Sequence, residues 1–240
     1  HQIWIGPNPV PLQWINMFRI DYINKYPDWE YRLWRDEDIE PLFKDFPIFW
    51  KIYLVEPTYN GKSDILRYVL LYTYGGVYID ADSVWANNRC FDDFINEVGD
   101  NNFFVAYQAN NKQIICGGVM GSTPKNNYIK DLIERITSIV RIGDTKINIR
   151  YYQRKRKIIG ASRVLGPEFI TDVIRKHWGG DDSVTILPSV YFYPICWHSV
   201  GQNIDLHTKI DIPPESFMFQ YGYTTNNLQT HFHTNDDNNC

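Results

Sequence analysis

Lys62-Ser63-Asp64-Ile65-Leu66-Arg67, followed by Gly75-Gly76-Val77-Tyr78-Ile79-Asp80-Ala81-Asp82, is the stretch that decides how this chain folds. Ile65, Leu66, Val69, Leu70 and Tyr72 recur at helical spacing, so a helix is predicted from Ser63 to Tyr74, with Gly75-Gly76 stopping it. Val77-Tyr78-Ile79 follows at once and reads as a buried, β-branched and aromatic strand. The unit is helix, glycine stop, strand, and it delivers Asp80 and Asp82 to the strand's C-terminal end. Two carboxylates two residues apart point the same way only where the strand has ended and the chain is turning. There they form a hard oxygen site for Mn²⁺ or Mg²⁺ that leaves coordination positions for a diphosphate. A bare D-x-D is commonly a solvated turn, but this one sits at a sheet edge with Asp64 and Arg67 ahead of it on a helix. Those two lie at i, i+3, where they either form a local ion pair or contact the hydroxyls of a sugar.

On the N-terminal side, Ile3-Trp4-Ile5 is a short strand opening into the turn Gly6-Pro7-Asn8-Pro9, and positions 12 to 26 have helical spacing. Tyr31-Arg32-Leu33-Trp34 alternates like a strand, and Asp36-Glu37-Asp38-Ile39 opens a helix with its acids first. On the C-terminal side, positions 103–107 and 118–121 read as strands, 127–140 and 169–178 as helices, and 185–187 with 190–193 as a late strand pair. Arg150, Arg154, Lys155, Arg156 and Lys157 form a basic loop: a solvated segment, or a dock for an anionic acceptor or membrane headgroup. Strands separated by helices indicate a single α/β domain over residues 1–240, with a mixed, mostly parallel sheet flanked by helices. In such sheets ligands bind beyond the strand C-termini, where Asp80 and Asp82 fall.

The 240 residues are 44% hydrophobic and 16% aromatic, which excludes a disordered or coiled-coil chain. The net charge of −4 offers no general affinity for nucleic acid. No apolar run approaches the roughly 18 residues that span a bilayer, and the first residues are not a signal peptide. The chain starts without Met, so a trimmed or processed piece is expected, from which an anchor or targeting signal could be missing. Cys90, Cys116, Cys196 and Cys240 include no C-x-x-C pair and read as free, buried thiols. The sequence has no N-x-Ser/Thr acceptor, which fits a cytosolic compartment; a removed anchor would instead fit the Golgi lumen.

These segments together resemble glycosyltransferase family 32, the DXD sugar transferases, and more distantly the large clostridial glucosylating toxins. Positions 1–6, Tyr26 to Asp38, and above all Ser63 to Asp82 carry the resemblance, followed in order by positions 119–124, Gly166-Pro167, Leu187-Pro188 and Phe192-Tyr193-Pro194. It implies a GT-A fold, Mn²⁺ or Mg²⁺, a nucleotide-sugar donor, retention of anomeric configuration, and an acceptor that is a glycan, lipid or protein. By motif position Asp82 is a metal ligand, Asp80 bridges donor and metal, and Asp64 with Arg67 holds the sugar hydroxyls and diphosphate. Tyr78 lies near the nucleotide, and Gln2 and Trp4 line the base pocket. Two departures stand out. Relatives have an Asn where this chain has Cys116-Gly117-Gly118, so Gly117 and Gly118 are expected to leave more room around the sugar and to offer backbone N–H groups instead. In place of a C-terminal His-His pair the chain has His231 and His233, of which His233 is the expected third metal ligand. The expected donor is a UDP-hexose, UDP-N-acetylglucosamine included; GDP-mannose is the alternative.

Two other classes fit parts of the pattern. Haloacid-dehalogenase-like phosphatases also carry D-x-D-[S/T] at a strand end, with Asp80 as nucleophile, Asp82 as acid/base and Gly180-Asp181-Asp182 as the distal acids, but they give Gly75-Gly76, Asp64 and Arg67 no role. A non-catalytic sugar-binding relative would explain the altered 116–118 segment and leaves the intact Asp80 and Asp82 without a purpose. Trp29, Trp34, Trp50, Trp85, Trp178 and Trp197 are either core or platforms for acceptor sugars.

Overall fold

The computed structural model describes residues 1–95, 102–108, 111–142, 146–180, 184–195, 212–220 and 222. The chain begins with β1 (Gln2–Ile3) and α1 (Leu12–Asn16), which runs through a π-helical stretch (Met17–Tyr22) into α2 (Ile23–Lys25). β2 (Leu33–Trp34), α3 (Asp36–Leu42), α4 (Pro47–Val55) and α5 (Tyr59–Tyr74) lead into β3 (Gly76–Ile79) and β4 (Ser83–Trp85). After α6 (Asp92–Ile95) come β5 (Phe103–Gln108), β6 (Asn111–Ser122), α7 (Asn127–Ser138), β7 (Arg141–Ile142) and β8 (Lys146–Ile147). α8 (Ile149–Ile159), α9 (Pro167–His177), β9 (Thr185–Leu187), α10 (Ser189–Phe192) and β10 (Met218–Gln220) complete the described order.

The central sheet has the order β3-β6-β5-β9. It is mixed: β6 pairs antiparallel with β3 and β5, and β9 runs parallel to β5. Parallel pairing is thus confined, among the described strands, to β5–β9 and the small β1–β2 pair, and does not dominate as the sequence suggested. β5 and β6 follow each other as a hairpin, with Gln108 opposite Asn111, and that connection forces antiparallel pairing. β1 joins the same layer: the His1 ammonium donates to Val77 O at 2.7 Å and Ile79 N to His1 O at 2.9 Å.

Both faces of the sheet are covered. Tyr78, Phe103, Val105, Ile115 and Met120 pack into one core with α4, α5, α7 and α9. Val77, Ile79, Phe104, Ala106 and Val119 pack into a second core with Phe18, Tyr22, Phe91, Phe192 and Phe217. The alternation of Val77, Tyr78 and Ile79 between the two cores is the period of two expected of a strand buried on both faces.

α5 starts one turn before the predicted helix. The Thr58 side chain caps it by accepting from Gly61 N at 3.1 Å, and Ile65, Leu66, Val69 and Leu70 are fully buried along it. It ends at Gly75, which has φ of +67°, a conformation that costs glycine least.

Two elements depart from the sequence reading. Positions 150–157 are not a loop but helix α8, whose Asn148 side chain caps it by accepting from Tyr151 N at 3.2 Å. Positions 190–193 are not a strand but lie in and after α10, which starts directly behind Pro188. Cys196, Trp197, Asp181, Asp182, His231, His233 and Cys240 lie outside the described residues.

Candidate active site

Beyond the end of β3 the chain turns. Asp80 N donates to Gly118 O at 2.9 Å and Ser83 N to Asp80 O at 3.2 Å, which brings Ala81 and Asp82 round to face a cleft of about 930 Å³. Asp64, Arg67, Tyr78, Asp80, Asp82 and Gly118 all line it, so most of the residues singled out from sequence meet in one place. Trp4 lines it as well, and of the described tryptophans it alone does.

The floor of the cleft is built around Arg67. Its guanidinium holds Asp64 at 2.9 Å and Asp80 at 3.5 Å and lies 4.7 Å from the centre of the Tyr78 ring. The pair is not on a solvated helix face: the Arg67 side chain is 7% exposed and that of Asp64 12%. The ion pair allowed by the i, i+3 spacing therefore forms, and it faces the cleft. Burial pushes the Asp64 carboxyl up to about 6, with Arg67 pulling it back and Asp80 raising it further. Burial and the neighbouring Asp80 also hold the Tyr78 hydroxyl well above its usual range, so it stays protonated and donates to Asp80 Oδ1 at 2.7 Å.

β6 comes close enough to this cluster that side chains are excluded from it. A Cβ on Gly118 would lie 2.7 Å from both Asp80 Oδ2 and Gln220 Nε2, and one on Gly117 2.6 Å from Arg67 Nη1 and 2.9 Å from Ile170 Cδ1. Gly117 is not among the cleft-lining residues, and Arg67 fills the space beside it. The glycines thus allow β6 to pack against the Arg67–Asp80 cluster, and the space beside them is taken by Arg67, Asp80 and Gln220 rather than left open.

Gln2 also differs from its expected place. It is fully buried and does not line the cleft; its amide donates to Asp80 O at 3.2 Å and accepts from Tyr31 Oη–H at 2.7 Å. Its contact is with the backbone of the D-x-D turn.

Sequence reasoning missed two groups. Gln220, on β10, is 3.4 Å from Asp80 Oδ2, Ser83 Oγ and Gly118 O, so a distant segment closes the cluster. Glu56 is the second. Its fully buried carboxylate accepts from Tyr152 Oη–H at 2.6 Å, from Arg156 Nε and Nη2 at 3.0 and 2.9 Å, and from Thr58 N and Oγ1 at 3.2 and 2.7 Å. It ties α8 to the start of α5, where residues 57–60 form one wall of the cleft. No local signal marks Gln220, whereas a glycine inside a helix was a hint of Glu56: a Cβ on Gly61 would collide with its carboxylate.

Asp64, Asp80, Asp82 and Glu168 stand against one guanidinium, Arg67, which is the only cationic side chain among the described residues lining the cleft. Such an excess of negative charge suits a hard divalent cation, for which the oxygens of Asp80 and Asp82 are the right donor type. Among the described residues, no group of three or more His, Cys, Asp or Glu could by itself hold a metal.

Comparison with known proteins agrees with this geometry. Residues 13–104 match the family described as the glycosyltransferase sugar-binding region containing a DXD motif, which bears out the resemblance carried by Ser63 to Asp82. The chain is 39% identical over 83 residues to inositol phosphoceramide mannosyltransferase 3 of Schizosaccharomyces pombe, covering 34% of this chain and 23% of that protein. It is 28% identical over 138 residues to inositol phosphoceramide mannosyltransferase 2 of the same yeast, covering 57% and 37%. The matched part of the chain therefore spans less than two fifths of either relative. Among solved structures, the PaToxG glycosyltransferase superposes with a TM-score of 0.54 at 21% identity, covering 76% of this chain and 70% of that one; the fold is GT-A.

Proposed function

We propose that this chain, which carries the DXD-containing sugar-binding region of glycosyltransferases on a GT-A fold, transfers a hexose from a nucleotide-diphosphate sugar to an acceptor hydroxyl of a glycan, lipid or protein. The observation that carries the reading is the convergence of Asp80, Asp82, Asp64 and Arg67 on one cleft at the end of a central strand. In this reading Asp80 and Asp82 hold Mn²⁺ or Mg²⁺. A bound cation of that kind stabilises the charge that builds on a departing diphosphate without a proton transfer. Arg67 contributes a fixed positive charge on the same side, and Asp64 accepts from a sugar hydroxyl while keeping Arg67 in place. Tyr78 and Gln2 orient Asp80, one through its carboxylate and the other through its backbone carbonyl. A phosphatase with Asp80 as nucleophile leaves Arg67, held between Asp64 and Asp80, without a function.

The UDP-hexose expectation rested on room beside Gly117 and Gly118, and that room is occupied by Arg67, Asp80 and Gln220. The named relatives are mannosyltransferases, so a mannosyl donor such as GDP-mannose is the leading reading and a UDP-hexose the second. Retention of anomeric configuration belongs to the same reading, and the anomeric proton of the product reports it directly. The experiment is a screen of nucleotide sugars for released GDP or UDP with and without Mn²⁺. The mannosyl donor is expected to be hydrolysed fastest, and only with metal. No release from any nucleotide sugar with either Mn²⁺ or Mg²⁺ would refute the transferase assignment.

A further inference from the structure

We propose that the outward face of α8 is a docking surface for an anionic lipid bilayer. The helix, Ile149–Ile159, reads IRYYQRKRKII and contains five cations and no acid, in a chain whose net charge is −4. Its two faces do different things. Ile149, Tyr152 and Ile159 pack into the core and Arg156 is bound to Glu56, so the inner face is fully used. The outer face presents Arg150, Arg154 and Lys157, all exposed, around Tyr151 at 53% and Ile158 at 69% exposure. Ile158 is the most exposed large hydrophobic side chain among the described residues.

Cations alone would suit any polyanion. An aromatic and an isoleucine set among the cations suit a surface that is anionic outside and apolar a few ångströms in, where Arg and Lys stems extend along the headgroups while Tyr151 and Ile158 enter the acyl boundary. Among the described residues no helix is long and apolar enough to cross a membrane, so the contact made here is interfacial. The rest of the chain is net acidic, so the attraction favours an orientation with this face toward the surface. α8 also leads directly to Ala161 and Ser162, which line the cleft, so the bound bilayer would lie beside its mouth. That last consequence, a membrane lipid as acceptor, rests on the transferase reading; the binding does not.

The test is flotation of the purified chain with vesicles in the absence of any nucleotide sugar, so its failure is separate from that of the enzymatic reading. Binding is expected to vesicles holding about 30% phosphatidylserine and not to pure phosphatidylcholine. Arg150→Gln/Arg154→Gln/Lys157→Gln should lower partitioning by about fivefold per cation, or about a hundredfold in all. Ile158→Ser should lower it by about tenfold and remove the part that survives high salt. Circular dichroism and metal-dependent donor hydrolysis should be unchanged in both variants, since none of these side chains reaches the cleft. Equal binding to neutral vesicles, or undiminished binding by the triple variant, would overturn the proposal. So would wild-type binding by Ile158→Ser, because charge alone would then explain the face and a soluble polyanion would be its partner.

Discussion

Replacing Arg67 by Met tests whether the buried cluster is held together by its one cation. An ion pair on a solvated helix face contributes about 0.3–0.5 kcal/mol, and its loss would pass unnoticed. Arg67 and Asp64 are 7% and 12% exposed, and breaking a buried pair by removing one partner costs about 3–5 kcal/mol, because the remaining charge is left desolvated. Against a total stability of about 5–15 kcal/mol for a domain, that is a large fraction. The double variant Asp64→Asn/Arg67→Met removes both charges and is expected to lose less than Arg67→Met alone. Asp64 also gives the effect a pH signature. Its folded value of about 6 lies above the ordinary 3.8, so the folded state holds this proton more tightly. The stabilisation from protonated Asp64 is fully present below about pH 4 and is lost as pH rises through about 6, a difference of about 3 kcal/mol. Urea unfolding followed by tryptophan fluorescence, from pH 4 to 7, measures both. The margin of wild type over Asp64→Asn should shrink as pH rises through that window, and Arg67→Met should recover stability as pH falls. A loss below about 1 kcal/mol for Arg67→Met at pH 7, or a margin independent of pH, would show that the pair behaves as an exposed one.

Asp82→Ala should abolish metal-dependent donor hydrolysis while leaving the unfolding midpoint within experimental error, since Asp82 is half-buried on a turn at the cleft; near wild-type turnover with Mn²⁺ would sink the D-x-D assignment. Gly118→Ala should lower turnover by two orders of magnitude or more, because its methyl group would lie 2.7 Å from the Asp80 carboxylate; steady-state kinetics with the best donor check it. Glu56→Ala leaves Arg156 and the Tyr152 hydroxyl without their shared partner and should cost about 3–5 kcal/mol, read as a fall in denaturation midpoint, with Glu56→Gln costing less.

The parts of the molecule that were legible in the sequence share one property: their signal is local. The helix before the D-x-D, its glycine stop and the strand that follows are each set by residues within one or two turns, and α5 and β3 form where the pattern put them. The π-helical stretch inside positions 12–26 and the start of α5 one turn early are adjustments of the same kind, made by packing and by the Thr58 cap. What the sequence did not reveal is set across the chain. Whether β6 runs parallel or antiparallel to β3 leaves no mark on either strand, and a helix rich in arginine looks like a solvated loop until Glu56, 100 residues away, takes Arg156. Gly117 and Gly118 show the cost of reading a site from a local absence. A missing side chain suggested empty space, but space in a core is shared, and here the guanidinium of Arg67 and the carboxylate of Asp80 occupy it. The glycines are therefore better read together with the residues they admit: Arg67 is held between two carboxylates in the cleft floor only because the strand beside it has no side chains there to displace it.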